Sequence, residues 1–122
     1  MSLCYRRPVA LSAARVREIV AALADTQEGA HHGHPDFRVR SKIFATLSER
    51  EDRVALRLTH IEARALAERS PEVYRLVADR EPIGWVSALL SEADDAEIGD
   101  LLEEAWQLRA NEVPARRKRA RA

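Results

Sequence analysis

Gly33-His34-Pro35-Asp36-Phe37-Arg38-Val39-Arg40-Ser41-Lys42-Ile43-Phe44-Ala45-Thr46-Leu47 is the stretch that decides the fold. Phe37 and Val39 alternate with Arg38 and Arg40, the two-residue period of a half-buried strand, and Ile43 to Leu47 form a second apolar, β-favouring run after a short polar turn. Both phenylalanines of the chain lie in this hairpin. Its register stays open. A two-residue turn at Ser41-Lys42 sets Val39 opposite Phe44 and Phe37 opposite Thr46, with Ile43, Ala45 and Leu47 on the Arg38 and Arg40 side, whereas a three-residue turn pairs Val39 with Ile43. In either case an arginine-bearing face borders a strand with two apolar sides.

Outward from the hairpin, the segment before it reads as a helix. Ser12 is the expected N-cap, and Val16, Ile19, Val20 and Leu23 follow at the spacing of one helical stripe, leaving Arg15, Arg17 and Glu18 to water. Asp25-Thr26-Gln27-Glu28 and Gly29 end that helix, and residues 30–32 are short strand or extended lead-in. After the hairpin, the charged loop 48–52 precedes a strand over 53–58, where Val54, Leu56 and Leu58 alternate with Arg53, Ala55 and Arg57. Thr59 and Glu62 have capping-box spacing, so a second helix runs from there to about Arg69, with Ile61, Ala65 and Leu66 toward the sheet and Ser70-Pro71 as its stop. Residues 73–77 are a candidate short strand, 79–84 a loop and 85–89 the last strand. Asp94 and Glu97 open a third helix whose stripe is Ile98, Leu101, Leu102, Ala105 and Leu108.

The order α-β-β-β-α-(β)-β-α predicts an α+β fold of two layers, an antiparallel sheet packed against helices. At 122 residues one domain is expected, over residues 12–110, between a flexible N-terminal segment 1–11 and a basic, disordered tail 111–122. A single cysteine, Cys4, excludes a disulfide framework and a cysteine-based metal site. No apolar run reaches membrane-spanning length, and residues 8–11 are too short for a signal peptide's core, so a cytoplasmic monomer without membrane contact is expected.

The formal charge is zero, but it is unevenly spread. From residue 109 onward Arg109, Arg116, Arg117, Lys118, Arg119 and Arg121 face Glu112 alone, a balance of +5 that leaves −5 elsewhere. The tail is either a solvated terminus or an arm that contacts phosphates. His31, His32 and His34 cluster, but no further ligand at a familiar spacing completes a zinc set, and no metal is expected. His60, in the first turn of the second helix, is expected to be exposed. No nucleophile elbow, phosphate loop or dinucleotide fingerprint is present, which points away from an enzyme and from any cofactor.

The run from Gly33 to Val39, then Lys42-Ile43-Phe44-Ala45-Thr46-Leu47, Leu58-Thr59 opening a helix, Trp85-Val86 and Ala105-Trp106 resembles the MmcQ/YjbR family over about residues 12–109. The chain departs from that pattern in having Ser41 where the family usually has glycine, and in being shorter between Val77 and Trp85. The resemblance implies a compact antiparallel α+β fold, a "double wing" arrangement and DNA binding. It implies structural roles for Gly33 and Pro35 at the hairpin lead-in, for Phe37, Val39 and Phe44 in the core, and for Trp85 on the last strand. It implies no catalytic residue. Under DNA binding the phosphate contacts are expected from Arg38, Arg40, Lys42, Arg53 and Arg57 together with Arg116, Arg117, Lys118, Arg119 and Arg121. The competing reading is a small protein-interaction domain of the same fold, in which Glu49, Glu51 and Asp52 neutralise the sheet arginines.

Overall fold

A computed structural model describes residues 11–112. Helix α1 spans Ala13–Ala21, followed by strands β1 (Thr26–His31), β2 (His34–Val39), β3 (Lys42–Leu47) and β4 (Arg53–Thr59). Helix α2 (His60–Arg69), strands β5 (Tyr74–Arg80) and β6 (Ile83–Leu89), a 3-10 turn at Leu90–Glu92 and helix α3 (Asp95–Glu112) complete the chain. The strands form one antiparallel sheet in the order β1-β2-β3-β4-β6-β5. The expected α+β architecture stands, with β1, β5 and β6 longer than read.

All three helix starts follow their caps. The Ser12 hydroxyl accepts from the Arg15 amide at 3.1 Å, Thr59 from the Glu62 amide at 3.2 Å, and the Asp94 carboxylate from the Glu97 amide at 3.0 Å. Helix α1 stops earlier than the polar stretch suggested, because the Thr26 hydroxyl donates to the carbonyls of Val20 and Leu23 and the chain turns at Asp25, where φ is +61°. The polar residues Thr26 to Glu28 are therefore the start of β1, an edge strand whose polarity suits its exposure.

The hairpin takes neither expected register. Its turn is Arg40-Ser41, with φ of +49° and +77°, and Val39 pairs with Lys42. Two successive positive-φ residues give the twist that matches a right-handed hairpin, and the non-glycine residues accept the left-handed conformation here. A bulge at Ile43-Phe44 then lets Phe37 pair with Ala45 while Arg38 pairs with Ile43, so Phe44 and Ala45 are both fully buried in succession.

One face of the sheet meets the helices. Val54, Leu56 and Leu58 lie across from Ala88, Val86 and Gly84, and all are buried. A Cβ at Gly84 would stand 2.8 Å from the His60 Cα and 2.9 Å from the Ala63 Cβ, so α2 rests directly on β6. That contact sets the phase of α2. Its buried residues are Ala63 and Leu66, while Ile61, expected inside, is 71% exposed and Ala65 also faces out. Helix α3 packs on the same side through Ile98, Leu101, Leu102 and Ala105, tied to α2 by the Arg69–Glu97 ion pair and to β5 by the Tyr74 hydroxyl donating to Glu97 at 2.6 Å. Leu11, expected in the N-terminal segment, is buried in this core. The region 79–84, expected as a loop, holds the end of β5, a two-residue turn and the start of β6.

Candidate nucleic-acid interface

Strand alternation and the cross-strand register define what the second face of the sheet presents. On β4 it carries Arg53, Ala55 and Arg57; their partners on β6 are Leu89, Ser87 and Trp85. Arg75, Ala78 and Arg80 of β5 lie across from Ser87, Trp85 and Ile83. Toward the other edge, Thr46 pairs with Ala55 and Asp36, and Asp36 and Arg38 lie beside Gly29 and Gln27 of β1. The strands thus present five arginines on this face, Arg38, Arg53, Arg57, Arg75 and Arg80, against one carboxylate, Asp36.

The acidic residues lie elsewhere. Glu28 of β1 is ion-paired with Arg17 of α1, and Asp79 of β5 with Arg64 of α2, both on the helix side. Glu51 also pairs with Arg17, and Asp52 accepts from the Ser48 hydroxyl at 2.8 Å, so these two loop acids form no ion pair with the sheet arginines. Helix α3 carries Asp95, Glu97, Asp100, Glu103, Glu104 and Glu112 against Arg109. The acidic excess noted in the sequence therefore sits largely on this helix, whose last residue, Glu112, reaches the basic face and pairs with Arg57.

The expected contact residues differ in what holds them. Arg38 clamps the fully buried Asp36 with Nε–Oδ1 at 2.8 Å and Nη2–Oδ2 at 3.1 Å, which holds that carboxyl below its usual range. Arg40 is in the turn, bonded to Asp25 and the Ala110 carbonyl, and Lys42 is exposed at the strand's start. Arg53 donates to the Ser87 hydroxyl at 2.7 Å and the Ser87 carbonyl at 3.3 Å; burial and the neighbouring Arg75 both lower its pKa. Arg57, only 11% exposed, is paired with Glu112 at 2.9 Å. The sequence reading put Arg38, Arg53, Arg57 and also Arg40 on one face and Lys42 in the hairpin turn; the structure brings Arg38, Arg53 and Arg57 together, whereas Arg40 lies in the turn and Lys42 opens β3. Arg116, Arg117, Lys118, Arg119 and Arg121 lie outside the described residues.

Sequence reasoning missed Arg75 and Arg80. Both are exposed and make no hydrogen bond or ion pair among the described residues. The signal was the Glu81-Pro82 turn between two β-favouring runs, which marks a hairpin rather than the end of a strand.

The three clustered histidines lie on the β1–β2 hairpin and its turn. The His31 ring lies 4.6 Å from that of His32 and 5.7 Å from that of His34, with His31 Nδ1 3.6 Å from Asp36, yet among the described residues no three potential ligands converge. His60, expected to be exposed, is largely covered and lies between Asp79 and Glu81, at 3.6 and 3.3 Å. Among the described residues no helix is long and apolar enough to cross a membrane.

A family model for YjbR matches residues 21–108. The chain belongs to the YjbR family. The crystal structure of Deinococcus radiodurans protein DR2400, a DUF419 domain, superposes with a TM-score of 0.76 at 16% identity, covering 88% of this chain and 84% of that one. At that identity the likeness concerns the fold alone. Among curated proteins no relative matches. Within this YjbR chain the match spans the whole sheet after β1 starts and most of α3.

Proposed function

We propose that this YjbR protein is a non-enzymatic DNA-binding protein of the cytoplasm, a monomer that meets phosphates with the arginine face of its sheet and with the basic tail after Glu112. The observation that carries the reading is the segregation of charge. Five arginines share the strand face with one aspartate, which Arg38 already neutralises; Glu28 of β1 and Asp79 of β5 are paired on the helix side, and of the α3 acids Glu112 pairs with Arg57, which leaves Arg53, Arg75 and Arg80 without a carboxylate partner among the described residues. A polyanion approaching this face meets a local positive field although the chain is neutral overall. Glu112, the last described residue, is paired with Arg57 of this face, and the five tail cations follow it in sequence.

Fluorescence anisotropy of a labelled duplex over a salt series tests the reading. Binding that weakens steeply with salt supports it, because each neutralised phosphate releases counterion; no association at tens of micromolar, where non-specific binders register, removes it.

A protein-interaction role has one observation in its favour. Edge strand β5 leaves Val77 60% and Leu76 36% exposed at a bulge, an unpaired strand border that suits an extended peptide.

A further inference from the structure

Resting on that reading, we propose that the face around Trp85 takes single-stranded rather than duplex nucleic acid, stacking a base on the indole and seating a phosphate between Arg53 and Arg75. The two tryptophans of the chain are held differently. Trp106 is fixed by its indole N–H donating to the Ala24 carbonyl at 2.9 Å, whereas Trp85 is half-buried and makes no hydrogen bond among the described residues.

The register gives the surroundings of Trp85. Arg57 is its direct cross-strand neighbour on β4, Ala78 its neighbour on β5, and Arg75 and Arg80 flank Ala78's row on either side. Neighbouring strands are about 5 Å apart and same-face residues about 7 Å apart along a strand, so one indole stands within side-chain reach of three guanidinium groups. The small Ala78 leaves the β5 side of the ring low.

Beside it lies an anion site. Arg53 is oriented by Ser87, and Arg75 is the cross-strand partner of the same serine. Neither arginine is ion-paired with a carboxylate among the described residues, and burial, then repulsion from Arg75, lowers the Arg53 pKa. Two adjacent guanidiniums with a hydroxyl between them have the donors a phosphate needs and lack only the anion.

A duplex keeps its base faces inside the stack, so it reaches such a surface with phosphates only and leaves the indole unused. An unpaired strand offers both a base face and phosphates. A mixed aromatic and basic sheet surface therefore discriminates for the unpaired strand, whether of DNA or RNA.

The test uses the full chain and anisotropy with labelled oligothymidylate, oligouridylate and a duplex of matched length. The single strands should bind at least about tenfold more tightly than the duplex. Trp85→Leu should weaken single-strand binding roughly 5- to 150-fold, the range of one lost base stack, while Trp85→Phe keeps most of the affinity and duplex binding changes little. Arg75 is exposed on an edge strand, so Arg75→Gln retains the fold and should also weaken single-strand binding if Trp85→Leu fails to fold. Equal or tighter duplex binding, or variants that circular dichroism shows folded and that bind single strands like the parent, overturns the inference while leaving DNA binding intact. No binding to any of the three removes both. The ratio between oligothymidylate and oligouridylate assigns the sugar.

Discussion

Asp36 and Arg38, two residues apart on β2, share the open sheet face, and the fully buried carboxylate is gripped by both a 2.8 Å and a 3.1 Å contact from a guanidinium that remains a third exposed. The Gly29 amide adds a backbone hydrogen bond, and a side chain at Gly29 would meet Asp36 Oδ1 at 3.0 Å, so glycine keeps this pocket open. Arg38 is thus part of the fold before it is part of any interface.

Arg38→Ala strands a buried anion and should lower the denaturation midpoint at neutral pH. The pair holds the Asp36 pKa down, so its contribution is present above the unfolded carboxylate's pKa of about 3.8 and is lost as pH falls through the lower folded value. The deficit of the variant should therefore shrink in acid. A midpoint equal to the parent's at pH 7 would mean that the clamp carries no stability.

Phe44→Ala should destabilise by about 3–5 kcal/mol, because the ring is fully buried at the bulge of β3. Urea denaturation measures it. A loss under about 1 kcal/mol would place the ring at the surface.

Gly84→Ala should cost about 1–3 kcal/mol, since the new methyl meets the His60 backbone at 2.8 Å and α2 must lift from β6 to admit it. The change is read in the same way. Unchanged stability would show that the helix is not seated on the strand.

The Glu62 carboxyl is hydrogen-bonded to Glu104 across α2 and α3, and this bond, burial and like-charge repulsion raise its pKa from 4.5 to about 7. A raised acid takes up a proton on folding, so its contribution is full below about pH 4.5 and is lost as pH rises through about 7. Glu62→Gln should flatten the decline of the thermal midpoint between those values and stabilise the protein at pH 8. A variant with the parent's pH profile would contradict the shared proton.

The caps, the alternation of β4 and the α3 stripe were legible because each depends on neighbours in sequence: Ser12, Thr59 and Asp94 bond their own helices. The hairpin register was not, because the turn at Arg40-Ser41 uses positive φ without glycine and the bulge at Phe44 answers to packing across strands. Ile61 misled for the same reason. Its apolar side chain suggested an inward face, but Gly84 lets α2 settle on Ala63 instead. Three of the five arginines on the sheet face could be read from alternation; Arg75 and Arg80 required knowing that β5 pairs with β6 over its whole length.

The tail and the sheet face make separable contributions. Deleting the chain after Val113 removes five cations, so the log–log salt slope on duplex DNA should become shallower by at most about 4.5, with stability nearly unchanged. A slope unaltered by the deletion would assign all phosphate contacts to the folded part.

Charge reversal on the sheet face of the full-length protein tests the central claim most directly. Arg53→Glu with Arg75→Glu is compared with Arg64→Glu, which alters the same charge type on the helix side where Arg64 pairs with Asp79. Anisotropy on labelled DNA at low salt should show binding lost or weakened at least about tenfold in the face variant and close to the parent's in the control. Equal weakening in both, or none in the face variant while circular dichroism shows it folded, would contradict a DNA interface on this face.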